Sequence, residues 1–513
     1  MNGFILASTS SMSGAVTGFF ALLLVGLIVC LALEEKLHAK KSVIAGVFAI
    51  VCMFFGAATG ILPFDKVVVG SHPLVEHTAM SGEWVDESDQ HVEPFSAPAT
   101  VGDAHEENPV HVQGHRISMP VYIPGIDWGV IAIILGSSIF VDVTSRSGLF
   151  SWIAIRVTKA SRGDPLLLLI SYGVMTVVFS AVLNNVTAMI IVGSLTVVSL
   201  EKLGQRDKLL GFLLIEGLLT NIGGLLTLIS SVPNIIVGTA AGISFVTFFI
   251  KAAPYVIVTT AATIWLGARL FHVKRLASSK ERDEAAELVA SFDENDGIES
   301  WNFFYFAAVT LGLFIVTIAT TSVLPWIREL EMGFVALAFA GVMLVRYKSE
   351  ADQFYKAVDW DLLGFFMALF VVIYVMEHAH VLEMIGVGLE KVLVNLTSET
   401  GDPRDATVLL IGAAAFSSVT DNIPLAAMLA NILHALGAPE TSRLWWSVVF
   451  GANLGGNLTP IGSASTLVAV TIIHKHNLHL SFIDFVKKAA PFAAMHIVLA
   501  VLYVLLILSW LPG

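Results

Sequence analysis

Apolar runs of bilayer-crossing length recur along this chain from Gly14 to Trp510. A spanning helix needs about 20 mostly apolar residues, so hydrocarbon is the solvent in which most of this sequence folds. Composition agrees: of 513 residues 56% are hydrophobic and 13% charged, about half the charged share of a soluble domain. An ordinary soluble enzyme is excluded. The net charge of −13 argues against a nucleic-acid partner. Cys30 and Cys52 both lie in apolar runs, which leaves neither a disulfide framework nor a zinc knuckle.

Hydropathy predicts spans near residues 14–33, 42–62, 127–144, 252–271, 302–324, 332–347, 361–379 and 488–511, with two long interrupted stretches besides. The N-terminus lacks a basic n-region, so 14–33 reads as a retained helix, not a cleaved signal. Lys and Arg in short loops then orient the chain. They cluster at Lys36, Lys40 and Lys41; at Arg146, Arg156, Lys159 and Arg162; and at Lys202, Arg206 and Lys208. Further clusters are Arg269, Lys274 and Arg275; Arg346, Lys348 and Lys356; and Lys475, Lys487 and Lys488. All fall on one side if 164–204 and 404–438 are re-entrant hairpins that do not cross. Both termini are then extracytoplasmic, and 276–300 is a cytoplasmic linker between residues 1–275 and 301–513. The chain reads as a multi-pass protein of a bacterial inner membrane, with the lipid bilayer as its first partner.

One hydrophilic insertion, 63–125, stands apart and is expected outside. Between Asp65 and Arg116 ten Asp and Glu face only Lys66 and Arg116, and six of the fifteen histidines lie there: His72, His77, His91, His105, His111 and His115. Imidazole and carboxylate suit divalent ions, but only His111 and His115 are spaced four apart, with Gly114 between them. A solvated acidic loop is therefore preferred to a metal site.

The chain also repeats itself. Ile126-Asp127-Trp128 returns as Val358-Asp359-Trp360. The segment from Phe179 and Ser180 to Asn184, Asn185 and Val186 returns from Phe416 and Ser417 to Asp421, Asn422 and Ile423. Asn221-Ile222-Gly223-Gly224 with Leu226 and Thr227 returns as Asn453-Leu454-Gly455-Gly456 with Leu458 and Thr459. Three matches in one order define an internal repeat. Each half then holds five crossings, one re-entrant hairpin and one broken helix. An odd number of crossings inverts the second half. The expected fold is an all-α polytopic membrane protein of two inverted-topology repeats, with its site where the discontinuous helices meet.

The breaks carry the chemistry. Backbone freed at membrane depth is tolerated only inside protein or beside a wet cavity. Freed carbonyls with Asn, Ser and Thr oxygens suit Na⁺, and freed N–H groups at a half-helix N-terminus suit anions. The ion- or substrate-binding candidates are Ser180, Asn184, Asn185, Thr187, Asn221, Gly223, Gly224 and Thr227, with Ser417, Asp421, Asn422, Asn453, Gly455, Gly456 and Thr459. An ionisable group costs about 2.5 kcal/mol or more at the bilayer centre, so each needs a reason. Asp421 at a hairpin tip, matched by neutral Asn184, offers one carboxylate to a proton or a cation. Glu216, just over a turn before Asn221, is a second proton-carrier candidate. His434 and His496 read as packing residues. With no Lys or Arg mid-membrane in either repeat core, an anion would have to be held by helix ends and amides.

At these motifs, together with Ser161-Arg162-Gly163 and Val232-Pro233-Asn234, the sequence resembles the ion transporter superfamily. That group includes arsenite efflux pumps, the P protein, NhaD-type sodium/proton antiporters and divalent anion/sodium symporters. The likeness covers about residues 126–275 and 358–475 and is strongest to the arsenite pump and P protein branch. The Ser417-x-x-x-Asp421-Asn422 signature is similar to one that the antiporter branch uses in ion exchange. The P protein pattern often has Asp where Asn184 stands, and Pro424 replaces the Thr of the symporter signature. The resemblance implies a homodimer whose outer spans form a scaffold for a mobile, elevator-like transport domain.

The function expected is ion-coupled secondary transport of the Na⁺/H⁺ antiport type, with a small ion as substrate. The alternative is a carrier for citrate-like, oxyanion or arsenite anions driven by a Na⁺ or H⁺ gradient. No nucleophile–base pair or His-Glu-x-x-His motif suggests an enzyme, and no resident cofactor or metal is implied beyond Na⁺ or H⁺ as coupling ions. Without a Walker-type loop the gradient supplies the energy, unless a separate ATPase subunit docks.

Overall fold

The computed structural model describes residues 14–33, 37–62, 125–183, 185–321, 324–347, 360–391, 402–419, 422–460 and 462–511, Ile123, Val358 and Leu393, and short strands within 66–118. The first half contributes α1 (Gly14–Ala32), α2 (Lys41–Ala58), α3 (Trp128–Arg146), α4 (Leu149–Ala160), α5 (Pro165–Val182), α6 (Asn185–Lys202), α7 (Leu209–Gly223), α8 (Val232–Ala240) and α9 (Phe245–Leu270). After a linker helix α10 (Ser279–Ala290) come α11 (Trp301–Thr320), α12 (Pro325–Arg346), α13 (Trp360–His378), α14 (Val381–Glu390) and α15 (Pro403–Ser417). The chain continues through α16 (Asn422–Ala435), α17 (Arg443–Gly455), α18 (Ala464–Lys475) and α19 (Phe482–Leu506). The body is all-helical, with one helix hairpin and one broken helix in each half.

Local chemistry sets these boundaries. α5 and α15 both open on Asp-Pro: Asp164 accepts from the N–H groups of Leu166 and Leu167, and Asp402 from those of Arg404 and Asp405. The carboxylate satisfies orphan donors of the first turn, and Pro at N1 has no donor to satisfy. Asp127 of the repeated Asp-Trp caps α3 through the Val130 N–H at 3.0 Å; Asp359 lies outside the described residues. The last helices show a further copy of the repeat. Ser244-Phe245 and Lys251-Ala252-Ala253-Pro254-Tyr255 recur as Ser481-Phe482 and Lys488-Ala489-Ala490-Pro491-Phe492. Both serines are N-caps, and both helices carry the proline internally. The span expected at 332–347 is the main part of α12, which kinks at Glu331 (φ 60°, ψ 176°).

The two halves pack by exchange. α2 lies on α13 and α12 on α3, so the second helix of each half pairs with the third of the other. In the same way α6 packs on α18 and α16 on α8. Within each half the first hairpin arm lies on the broken helix, α5 on α7 and α15 on α17. α7 and α17 form the centre: residues 211–223 and 444–455 are buried without interruption. A helix apolar all round belongs in such a core. Leu22, Ile50, Ile257, Val309, Val345 and Leu506 instead leave large apolar side chains exposed on the outer helices. Hydrocarbon, unlike water, accepts that surface.

Nine described helices are long and apolar enough to cross a membrane. They include both arms of the first hairpin, 18 residues each and about 27 Å long. The arms of the second hairpin, at 15 and 14 residues, are shorter. Where it is described, the 63–125 insertion is not helical. It forms two-stranded antiparallel ladders, one pairing Lys66–Val69 with His115–Ser118. The choice between a solvated acidic loop and a metal site at its histidines concerns side chains outside the described residues.

The 276–300 linker is a docked element. Ser278 and Glu281 form a capping box at the start of α10, and Glu294 pairs with Lys159 and, at 3.4 Å, with Arg156 of α4. The Lys159 hydrogen bond, then the charges of Lys159 and Arg156, hold the Glu294 carboxyl below its ordinary range. A group whose folded pKa is depressed supports folding above its unfolded pKa and stops doing so as pH falls through the folded value. Hydrogen-exchange protection of α10 should therefore be constant from neutrality to about pH 5 and decline below the ordinary glutamate range. Glu294→Gln should already show the low-pH protection at pH 7; equal protection in the two proteins would remove the ion pair from the clamp.

Candidate functional site

The polar residues of the breaks meet where α7 and α17 end. Each hairpin is tied to the broken helix of its own half by two matched hydrogen bonds. Ser180 donates to the Thr220 carbonyl and Ser417 to the Ala452 carbonyl, both at 2.6 Å. Thr227 donates to the Ala181 carbonyl and Thr459 to the Ser418 carbonyl, again both at 2.6 Å. The hydroxyls thus bond to carbonyls in the last turns of the helices; that of Thr220 also accepts the Gly224 N–H at 2.8 Å. Gly223 and Gly455 make this approach feasible. A Cβ on Gly223 would lie 2.6 Å from the Val177 carbonyl oxygen, and one on Gly455 would lie 2.3 Å from that of Ala414.

Across the halves the contacts exchange again. Ser231 donates to Asn453 Oδ1 at 2.8 Å, and Asn221 Nδ2 donates to Ser463 Oγ at 2.9 Å. Each serine immediately precedes the second part of its own broken helix and meets the asparagine ending the first part of the other. Asn453 Nδ2 donates to Asn234 Oδ1 at 2.9 Å and to the Val449 carbonyl at 2.8 Å. Asn234 Nδ2 donates to the carbonyls of Gly224 and Thr227 at 2.6 and 2.9 Å.

The first hairpin tip joins the same network. The Asn185 carboxamide lies 2.7 Å from Ser180 Oγ, whose one hydroxyl proton is shared between it and the Thr220 carbonyl, and Asn185 Nδ2 reaches Asn221 Oδ1 at 3.4 Å. The Asn185 amide lies against Gly224, where a Cβ would stand 2.8 Å from Oδ1. Thr187 is half-buried in the first turn of α6, and Asn422, also half-buried, starts α16. Gly456 abuts the returning chain at the Gly462 carbonyl. Asn184 and Asp421 lie outside the described residues.

Glu216 stays apart. Thr196 of α6 donates to its Oε1 at 2.6 Å, while Oε2 has no hydrogen-bond partner among the described residues. The residue is fully buried, and among the described residues its carboxyl shares no hydrogen bond with the asparagines. Of the two histidines read as packing residues, His434 is exposed. His496 is buried but bonded through both ring nitrogens, to Thr263 Oγ1 at 2.8 Å and to Asn457 Nδ2 at 3.2 Å.

Ser231, Asn457, Ser463 and Ser465 belong to this assembly without having been singled out from the sequence, while Asn234 entered only through the Val232-Pro233-Asn234 motif and His496 only as a packing residue. Ser231 and Ser463 sit inside the repeated motif, which was a usable signal. Asn457 stands where the first copy has Leu225, a departure from the repeat that symmetry alone passes over.

Chemically, the assembly is a set of neutral oxygens and amides with no Lys or Arg side chain among these bonds. Such a set can coordinate a weakly hydrated cation, or can offer N–H groups to an anion from the starts of α8 and α18.

Comparison with known proteins places this geometry. The citrate transporter family model, CitMHS, matches residues 110–451. An uncharacterized transporter of Mycobacterium bovis is 31% identical over 385 residues, covering 74% of this chain and 86% of that protein. The P protein of Mus musculus is 26% identical over 77% of this chain, which spans 56% of the mouse protein. The YdaH transporter of Alcanivorax borkumensis, a structure noted for its unusual topology, superposes with a TM-score of 0.55. It covers 92% of this chain and 99% of its own, at 12% identity, a likeness of fold. With a family model spanning most of its membrane body and relatives that are themselves transporters, the chain belongs to the citrate transporter family of the ion transporter superfamily and is a secondary transporter.

Proposed function

We propose that the protein exchanges Na⁺ for H⁺ as a homodimer, by elevator movement of the two hairpins and two broken helices against the outer spans. The observation that carries this reading is the exchanged Ser–Asn pairing, Ser231 with Asn453 and Ser463 with Asn221, which gathers neutral oxygens from both halves at one buried place. Neutral oxygens satisfy Na⁺ without a second fixed charge, and Asp421 supplies the one carboxylate for which proton and cation compete. Glu216 is the lesser proton carrier because it does not hydrogen-bond to the amides. The halves are inverted, with re-entrant hairpins, extracytoplasmic termini and a cytoplasmic linker, a topology supported by the Lys and Arg clusters, all of which it sets on one side. The 63–125 insertion has no counterpart in the second half and lies outside this mechanism.

A second reading is supported by the family itself, whose printed description is citrate transport. On that reading the N-termini of α8 and α18 hold a carboxylate-bearing anion, and Na⁺ or H⁺ drives it.

Flux into proteoliposomes separates the two. With the purified protein, an imposed pH gradient should drive ²²Na⁺ uptake, and a Na⁺ gradient should move protons in the opposite direction. Citrate should neither be required nor be accumulated. Gradient-driven citrate uptake without Na⁺/H⁺ exchange in its absence would make the anion reading the correct one.

A further inference from the structure

A long groove opens on the outer side of the molecule between α5 and α9. It encloses about 1270 Å³, more than the roughly 300–1,000 Å³ of a small-ligand pocket. The two helices touch along its floor, where a Cβ on Gly173 would stand 2.8 Å from Ile264 Cδ1. One wall exposes Ile170, Val174 and Val178, each about a turn apart on α5. The other exposes Phe249, Ile257 and Trp265 of α9, with Ala253 and Ala261 between them. From Phe249 to Trp265 is about 24 Å of helix, whereas half a hydrocarbon core is about 15 Å. An acyl chain of one leaflet therefore fits along the groove.

The groove ends in a cluster of cations. Arg269 lies over the ring of Trp265, 5.0 Å from its centroid. Tryptophan favours the membrane–water interface, which sets this end at headgroup depth. Beyond Arg269 the helix closes in a left-handed turn: His272 has φ 52°, and the Val273 N–H returns to the Ala268 carbonyl at 2.9 Å. Val273 is buried, and the turn brings Lys274 and Arg275 to the same mouth as Arg269. The Leu276 N–H then bonds to Asp164 Oδ2 at 3.2 Å, which pins the mouth to the start of α5. Asp164 is already committed, since its other oxygen accepts from Leu166 and Leu167.

No acidic residue lines the groove among the described residues. Nearby ion pairs join Lys280 to Glu284, and Glu294 to Lys159 and Arg156; none of them uses Arg269, Lys274 or Arg275. Three cations gathered in this way repel one another, and an anion among them relieves it. Orientation of the chain accounts for Lys and Arg at this end of α9. It does not account for an apolar groove that leads from them into the hydrocarbon.

We propose that the α5–α9 groove binds one anionic phospholipid of the bilayer, with its acyl chains between Val174 and Ile257 and its phosphate on Arg269, Lys274 and Arg275. Guanidinium groups offer the phosphate paired N–H donors, and the ammonium adds a point charge. A zwitterionic lipid brings its own cation to a mouth that already holds three. The apolar helix of a second copy would fill the groove but leave the cations unanswered. At its deep end the groove reaches Val177 and Leu226. Val177 is also the residue whose carbonyl lies against Gly223 of the broken helix, so a bound lipid backs the arm that holds α7. The site shares no side chain with the asparagine assembly and does not depend on which ion is carried.

Native mass spectrometry of the delipidated full chain in detergent, titrated with dioleoyl-phosphatidylglycerol or dioleoyl-phosphatidylcholine, tests this. One phosphatidylglycerol per chain should be retained in preference to phosphatidylcholine. Each Lys or Arg at such a surface is worth about fivefold in affinity, so Lys274→Gln with Arg275→Gln should weaken phosphatidylglycerol about 25-fold and phosphatidylcholine hardly at all. Phosphatidylglycerol should raise the melting temperature of the parent protein and not that of the double variant. Ala261→Trp and, from the opposite wall, Val174→Trp should each block the acyl chains; both positions are exposed, so neither substitution burdens folding. Equal retention of the two lipids, or parent-like binding by the double variant or by both Trp variants, would overturn the proposal. So would displacement by sn-glycerol 3-phosphate, which would make the mouth a site for free phosphate, or conversion of a dimer to a monomer by the Trp variants, which would give the groove to a second copy. None of these readouts needs transport, so the exchange reading and the lipid site stand or fall separately.

Discussion

Asp421→Asn is expected to abolish Na⁺- or H⁺-coupled flux while leaving expression and membrane insertion intact. The substitution keeps the shape and one oxygen acceptor and removes both the charge and the proton site. Ser417, four residues earlier in the chain, already spends its hydroxyl on the Ala452 carbonyl. Asn453 is likewise committed to Asn234, Ser231 and Val449. Neutral groups already committed in this way cannot replace a formal charge. Losing one charged ligand costs an ion about 3 kcal/mol, or more than about a hundredfold in occupancy. The measurement is ²²Na⁺ uptake under an imposed pH gradient, with Glu216→Gln beside it, where a smaller loss is expected. Full, pH-dependent transport by Asp421→Asn would reduce the carboxylate to a helix cap and favour the anion reading.

Gly455→Ala should be the most destabilising single methyl in the second half. Its Cβ would stand 2.3 Å from the Ala414 carbonyl oxygen and 2.7 Å from Ser417 Cβ, both on α15. Backbone cannot yield as a flexible side chain does, so α15 must back away from α17. Overpacking of this kind costs about 3 kcal/mol, and the Ser417 hydrogen bond to Ala452 is lost with it. Gly412→Ala, on the same helix α15 but with nothing within 4 Å of its Cβ, is the control. Thermal unfolding in detergent followed by size exclusion should show a clear loss for Gly455→Ala and almost none for Gly412→Ala. Indistinguishable melting of the two would mean that the hairpin is not held on the broken helix by this contact.

The residues most legible from sequence were those whose signal is local. Asn221-Ile222-Gly223-Gly224 and its copy interrupt apolar runs with poor helix formers, and the structure ends α7 and α17 at Gly223 and Gly455. Ser180 and Ser417 were legible because the repeat displays them twice, and each meets its own broken helix. The linker was less legible. A polar stretch reads as a loop, and only its meeting with Lys159 and Arg156 makes 276–300 a docked element.

By itself, then, the sequence determined a membrane solvent, the approximate places of most long apolar helices, and the places where the broken helices stop; the short helices α4, α10 and α14 were not legible in it. Apolar run length, capping residues and helix breakers act within a few turns, so they can be read in one dimension. Only the tertiary structure decided which broken end meets which. Ser231 reaches Asn453 across 222 positions, and Asn221 reaches Asn457 across 236. A buried amide must find a partner wherever packing brings one, and that partner leaves no mark at any fixed spacing. His496 shows the consequence. As a lone histidine in an apolar helix it reads as packing, and it becomes a hydrogen-bonded member of the polar assembly only when α9, α19 and the loop after α17 close around it.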